Sequence, residues 1–109
     1  MIGHNNKLPQ SIEDAHEFFR TFRQKYEPAH RRATVLEANQ KIVLSKLTLA
    51  ADAKSFNERE AIARTQPEYK QAIESYAEAD AEAVSLKLDK TCQEMLVGIW
   101  QTQSRNERP

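Results

Sequence analysis

Glycine, proline and cysteine are scarce in this 109-residue chain, which has two glycines, four prolines and one cysteine. Because glycine and proline interrupt helices, their scarcity favours long helices. The single cysteine, Cys92, excludes an internal disulfide. There is also no glycine-rich phosphate loop, no cysteine pair for zinc and no Ser/His/acid signature. We therefore expect a protein without enzymatic activity and without a cofactor.

An excess of charge and a long apolar run are missing as well. Sixteen basic residues balance sixteen acidic ones, so no overall field attracts the chain to nucleic acid or to a membrane. No segment approaches the length of apolar sequence that spans a bilayer, and the start "MIGHNNKLPQ" lacks the apolar region of a secretory signal. The expected location is the cytoplasm.

Good helix formers dominate what is there, namely Ala, Glu, Gln, Lys, Arg and Leu, and they predict an all-α fold. The length suits one domain, expected over residues 11–104 between a flexible tail at 1–10 and a second tail at 105–109. The predicted architecture is a short N-terminal helix followed by a long antiparallel helical hairpin, coiled-coil-like and oligomeric. The predicted helices cover about 12–26, 29–54, 58–64 and 67–103.

Capping residues and prolines set these boundaries. Ser11 is expected to cap the first helix, and Pro28 to end it at Glu27, because proline disfavours the α conformation in the residue before it. Asn57 and Thr65 are each followed by glutamate three residues later, which is typical of a helix start.

The second predicted helix has two apolar stripes and therefore needs two partners. One stripe is heptad-like and is interrupted by Gln40. The other repeats every seven residues about 100° around the helix. The first contains Ala29, Ala33, Leu36, Val43, Leu47 and Ala50; the second contains Val35, Ile42, Leu49 and Phe56.

The third predicted helix has a main seam that repeats at eleven residues, which indicates nearly straight packing. If the hairpin folds about residue 60, Asp80 lies in this seam near Asn39 or Gln40 and forms a polar layer that sets register or oligomeric state. The main seam contains Ile73, Ala77, Val84, Leu88, Met95 and Ile99. Cys92 is expected close to it, as a small hydrophobic residue.

Leu86, Val97 and Trp100 lie on the side of the third helix away from that seam. An apolar patch of this kind is typical of an interface. The alternative is that the first helix folds across Trp100 and covers it. In either case we expect a homodimer or a larger helical assembly, with Val35, Ile42 and Leu49 as further interface candidates.

The spacing Glu-x-x-His occurs twice, as Glu13/His16 and Glu27/His30. Two such pairs are part of the ligand set of a di-iron helical bundle. The first pair flanks the apolar stripe of its helix, and the second spans the predicted break at Pro28. The pairs are therefore not equivalent, and no metal site is predicted.

Two charged surfaces are candidate binding sites. The corner between the first two predicted helices mixes cations with aromatic rings, which suits phosphates and stacked bases, or it is simply a solvated corner. A row of carboxylates on the third helix suits a basic groove on a partner, or it is a solvated face. The corner contains Arg20, Arg23, Lys25, Tyr26, Arg31 and Arg32; the row contains Glu74, Glu78 and Glu82.

The first five residues, "MIGHN", resemble the start of many small proteins of alphaproteobacterial phages and prophages. The closing segment "IWQTQSRNER" is similar to the ending of short helical phage proteins encoded beside recombination genes. This resemblance implies a phage accessory protein, a class that includes inhibitors of host nucleases and of CRISPR systems, recombination helpers and sponges for signalling nucleotides. It transfers no catalytic residue.

We therefore expect a protein that binds a host defence or nuclease complex stoichiometrically in the cytoplasm of the host cell. The alternative is a nucleic-acid or nucleotide binder that uses the segment from Arg20 to Arg32. A metal-dependent bundle ranks third.

Overall fold

The computed structural model describes residues 12–107, and these form three helices and no strand. Helix α1 covers Ile12–Ala50, α2 covers Phe56–Arg64 and α3 covers Pro67–Asn106. The predicted all-α class with a long helical hairpin is confirmed. The predicted tail at 1–10 and the cap at Ser11 lie outside the described residues. Residues 105 and 106 belong to α3, so the predicted start of the C-terminal tail is wrong.

The predicted helix break at Pro28 is wrong, because α1 runs through this residue without interruption. The half-buried and buried positions of α1 alternate at spacings of three and four on both sides of the proline. A seam in one register favours one continuous helix, because the free energy gained by packing along it exceeds the cost of a proline inside the helix. The positions are Phe22, Tyr26, Ala29, Ala33, Leu36, Gln40, Val43 and Leu47.

The helix ends after Pro28 also differ from those predicted. α1 stops at Ala50 rather than at residue 54, and residues 51–55 connect it to α2. Ser55, not Asn57, caps α2, and its side chain accepts a hydrogen bond from the Glu58 amide at 3.1 Å. The Thr65 hydroxyl donates to the Ile62 carbonyl at 2.7 Å, so it closes α2 instead of capping α3.

Two compact units divide the described residues, and each is considered by itself: the first contains 12–27 and 84–107, the second 28–83. In the second unit α1 and α3 are antiparallel. Arg32 lies 3.5 Å from Glu82, and the Tyr76 hydroxyl donates to Glu37 at 3.3 Å. The midpoint of residues 32 and 82 is 57, so the hairpin folds about three residues earlier than the predicted residue 60.

The buried hydrophobic positions are mostly alanine, and no large side chain in the described residues is fully buried. Alanine enters a helix without loss of side-chain entropy, but it buries little apolar area. Larger side chains contribute at half-buried positions, among them the Phe22 ring, which stacks on Tyr26 with 5.3 Å between centroids. The buried alanines are Ala15, Ala29, Ala33, Ala63, Ala72, Ala79 and Ala83.

The predicted seam of α3 is wrong, because its members are exposed. The buried and half-buried positions of α3 instead repeat with heptad spacing on another face of the helix. Asp80 and Asn39 are both exposed, so the predicted polar layer is not formed. The observed seam contains Tyr69, Ala72, Tyr76, Ala79, Ala83, Leu86, Lys90, Gln93, Val97 and Trp100; the exposed set contains Ile73, Ala77, Val84, Leu88, Met95 and Ile99.

Candidate protein interface

A stripe of three large apolar side chains runs along the outside of α1 in the second unit. Val35, Ile42 and Leu49 are 59%, 52% and 79% exposed, and they are spaced by seven residues. Each lies next to a seam position in the sequence. Because successive residues are about 100° apart around an α-helix, these side chains lie off the face that packs on α3. Phe56, the fourth member of the predicted stripe, begins α2 and is not on this helix, so that part of the prediction is wrong. The binding of a partner by Val35, Ile42 and Leu49 stays a prediction.

An open cleft of about 410 Å³ continues this stripe at the end of α1. Leu44, Leu49 and Phe56 provide its apolar walls, and Phe56 is itself 66% exposed. Arg59 also lines the cleft, and its Nε donates to the Ala53 carbonyl at 2.7 Å. Lys54 supplies a second cation, and Glu60 supplies a carboxylate that contacts Arg64 at 3.2 Å. With two cations against one carboxylate, the cleft suits an apolar side chain that carries or adjoins a carboxylate.

The charges on this part of α1 are mostly positive. Four basic residues occur between 28 and 50, against a single carboxylate at Glu37. That carboxylate accepts the hydrogen bond from Tyr76. The stripe is therefore an apolar row in a basic surround, which suits an acidic partner surface. The basic residues are Arg31, Arg32, Lys41 and Lys46.

The arginines of the predicted basic corner do not form a corner, because α1 is continuous there. Three of them are exposed and each contacts a carboxylate, which reduces the positive potential at these positions. The hydrogen bond from Arg23 to Glu27, and the attraction between their charges, raise the pKa of Arg23 above its ordinary value. The distances are 2.6 Å for Arg20 to Glu17, 2.7 Å for Arg23 to Glu27 and 3.5 Å for Arg32 to Glu82.

The other members of that set are distributed over both units. Lys25 and Tyr26 belong to the first unit and Arg31 to the second. Lys25 and Arg31 are exposed, whereas Tyr26 is half-buried with one ring face against Phe22. One aromatic face is thus already occupied, which makes this ring a poorer platform for a base.

The carboxylate row on α3 is exposed, as a binding surface or a solvated face requires. Glu74 and Glu78 lie on the surface, and Glu82 contacts Arg32. Nearby, the charge of Asp80, followed by that of Glu37, raises the pKa of Tyr76 above its ordinary value. An exposed ion pair such as that of Glu82 with Arg32 contributes little to the stability of the fold. The row therefore affects the surface potential more than the stability.

Of the two expectations for Leu86, Val97 and Trp100, the exposed outer patch is wrong; the half-burial of Trp100 agrees with the alternative that this side chain is covered. All three are half-buried and occupy the seam of α3, with the buried Gln93 at the intervening seam position. The heptad spacing from Tyr69 to Trp100 is the sequence signal that identifies them. Lys90 and Gln93 are polar members of this seam, so a search for apolar residues alone does not reveal the heptad spacing. Lys90 fits because its ammonium lies 5.5 Å from the centroid of the Phe22 ring.

Both Glu-x-x-His pairs are on one continuous helix, so the argument that a helix break at Pro28 divides the pair Glu27/His30 is wrong. His16 and His30 are exposed. Within residues 12–107, no group of three His, Cys, Asp or Glu side chains is arranged to hold a metal ion. Cys92 is exposed rather than close to the buried seam.

Comparisons of the chain with protein families, with curated proteins and with solved structures found no match. Across the described helices, none combines the length and apolar character needed to cross a membrane.

Proposed function

We propose that this protein acts by stoichiometric binding of a protein partner through the α1 stripe, defined as Val35, Ile42 and Leu49, together with the cleft beside Phe56. The observation that supports the proposal is the exposure of 79% of Leu49 next to 66% of Phe56. Large apolar side chains grouped in this way are typical of interfaces. A central apolar anchor with a polar rim is the usual energetic centre of a binding site.

The chemistry of the surface suggests the class of partner surface. Lys54 and Arg59 at the cleft, with Lys46 on α1, favour an acidic, amphipathic segment over a basic one. An apolar residue of that segment fills the cleft, and its carboxylates meet the cations. Binding of this kind requires no catalytic group on the protein.

The biological class of the partner rests on the resemblance of "MIGHN" and "IWQTQSRNER" to small phage proteins. On that basis the partner is a subunit of a host defence or nuclease complex, and the protein is an inhibitor that binds an acidic, amphipathic segment of that subunit. A phage accessory protein that blocks such a complex needs only affinity and abundance.

A plaque assay tests this proposal. Strains that each carry one defined defence nuclease, including RNA-guided types, are infected with a phage that the nuclease targets, with and without this protein. We expect recovery of plaques in at least one strain. Ile42→Lys is expected to abolish the recovery, because it places a charge in the apolar stripe. Gln71→Lys, on an exposed position of α3, adds the same charge elsewhere and is the matched control.

With the sensitive nuclease identified, binding is measured directly with the purified complex. Ile42→Lys and Phe56→Lys are expected to weaken binding at least about 30-fold, because an interface anchor contributes on the order of 2 kcal/mol. Circular dichroism must show that both variants retain the helical content of the unmodified protein. No recovery in any strain, or equal recovery by Ile42→Lys, would contradict the proposal.

Nucleic-acid binding is the alternative outcome of the same experiments. A titration with single- and double-stranded oligonucleotides at low salt decides it, since phosphate contacts weaken steeply as salt is added. Salt-sensitive binding that is lost when Arg20, Arg23 and Arg31 are replaced by alanine would favour this alternative. We expect no such binding, because carboxylates already contact Arg20 and Arg23.

A further inference from the structure

The α3 segment of the first unit has an apolar face that nothing in that unit covers. Val84, Leu88, Met95 and Ile99 are 45%, 60%, 64% and 51% exposed. They form two pairs with the same four-residue spacing, 84/88 and 95/99. Read from either end of the segment, the pattern is therefore the same about a centre between Thr91 and Cys92.

We propose that a second copy of the chain covers this face, with the two α3 segments packed antiparallel about a twofold axis beside Thr91 and Cys92. In this arrangement Val84 lies opposite Ile99 of the second copy, and Leu88 lies opposite Met95 of the second copy. A twofold contact requires a self-complementary surface. The mirrored spacing of these four residues meets that requirement in the antiparallel orientation.

The charges beside the face are self-complementary in the same orientation. Lys87 and Glu94 are seven residues apart, so they lie along the same edge of α3. An antiparallel twofold pairing brings Lys87 close to Glu94 of the second copy, and it does so twice. Within its own helix Glu94 lies 3.9 Å from the Lys90 ammonium, which is longer than a hydrogen bond. A parallel twofold pairing would place this edge of the two copies on opposite sides of the contact, so Lys87 would not meet Glu94 of the second copy.

Gly98 adds an independent observation. It lies in the interior of α3, where glycine is less favourable than any residue except proline. A Cβ atom at this position would meet no atom of residues 12–107 within 4 Å, so the packing of these residues in one copy does not require glycine there. In the antiparallel pair Gly98 lies beside Val84 of the second copy, where the missing side chain leaves room for close approach.

The first test is the mass of the full-length protein in solution, measured by sedimentation over a range of concentrations. We expect a dimer. Leu88→Lys is expected to raise its dissociation constant by roughly 100-fold, because the symmetric contact loses a buried leucine from each copy. Ile62→Lys, at an exposed apolar residue on α2, is the control and keeps the dimer. A monomer at every concentration, or a dimer lost with Ile62→Lys but kept with Leu88→Lys, would overturn the proposal.

Cross-linking tests the orientation. The exposed Cys92 of each copy lies beside the axis, so a short bismaleimide is expected to join the two copies. On a Cys92→Ser background, Val84→Cys mixed with Ile99→Cys is expected to give mixed cross-linked dimers, whereas neither variant cross-links alone. The two positions are about 22 Å apart along the helix, so a parallel dimer gives the opposite result and would overturn the proposal.

Charge exchange provides a third measurement that folding defects do not mimic. Lys87→Glu and Glu94→Lys are each expected to weaken the dimer several-fold, and the double exchange is expected to restore it. Equal weakening in the double variant would contradict the reciprocal pairing. The unmodified protein and both single variants are compared at matched helical content. These dimer measurements are independent of the plaque assay, so each proposal can fail without the other.

Discussion

Replacement of Pro28 by alanine is expected to stabilise the protein, because α1 passes through this position as a continuous helix. Proline has no amide hydrogen, so the Gln24 carbonyl has no intrahelical donor, and the ring crowds that carbonyl. Interior proline costs about 3 kcal/mol relative to alanine. Proline also lowers the conformational entropy of the unfolded chain, and this effect offsets about 1 kcal/mol of that cost. Pro28 is exposed, so little buried area is lost. The expected gain in unfolding free energy is about 2 kcal/mol.

Urea denaturation followed by far-ultraviolet circular dichroism measures this gain. At equal protein concentrations, Pro28→Ala is expected to raise the midpoint with an unchanged slope, and to raise Tm by about 8 °C. Thr34→Ala is the matched control on the same helix. Its exposed hydroxyl donates only to the His30 carbonyl at 3.0 Å, so a gain of only about 0.5 kcal/mol is expected.

An unchanged or lower stability of Pro28→Ala would refute the reasoning. It would mean that α1 bends or breaks at this position and that the proline conformation is part of the native structure. The boundary between the two compact units also falls at Pro28, so a changed slope in urea would show that the two units no longer unfold together.

Two further predictions concern polar groups on α3. Gln93 is 2% exposed and its Oε1 has no hydrogen-bond partner in the described part of the chain, so Gln93→Leu is expected to raise the unfolding free energy by about 1 kcal/mol; a lower free energy in urea denaturation would show that the amide is needed. The pKa of Tyr76 is raised by Asp80 and Glu37, so the folded state holds this proton more tightly than the unfolded state does. The stabilisation is therefore complete below the ordinary value of 10.0 and is lost as the pH rises through the folded pKa. Tyr76→Phe should flatten this alkaline loss, and ultraviolet titration in which every tyrosine ionises at or below pH 10.0 would contradict it.

The predicted break of α1 at Pro28 is wrong, although the apolar spacing along most of this helix is correct. The apolar positions before Pro28 and those after it were both identified, but they were assigned to two helices. Their spacing continues across the proline in one register, from Phe22 and Tyr26 to Ala29 and Ala33. The cost of a proline applies to one turn of the helix, whereas the free energy of burial along a continuous seam adds up over many turns. The burial term is the larger of the two, so the helix continues.

The interpretation of α3 failed for a different reason. This helix has two apolar stripes, and the sequence favoured the one with larger side chains, such as Ile73 and Met95. The observed seam mixes alanines and half-buried polar residues with larger side chains such as Tyr69 and Trp100. Alanine loses little side-chain entropy on burial, but a mixed seam of this kind scores lower in hydrophobicity than a stripe of Ile, Val and Leu.

Composition and periodicity by themselves determined the all-α class, the long helical hairpin and the presence of two apolar stripes on the part of α1 after Pro28. These properties depend on helix propensity and on angular position around one helix, which are local. Only the tertiary structure decided that α1 continues through Pro28, that the hairpin folds about residue 57 and which stripe of α3 lies in the seam. These choices depend on how two helix surfaces fit each other, and the periodicity of a single helix contains no information about that fit.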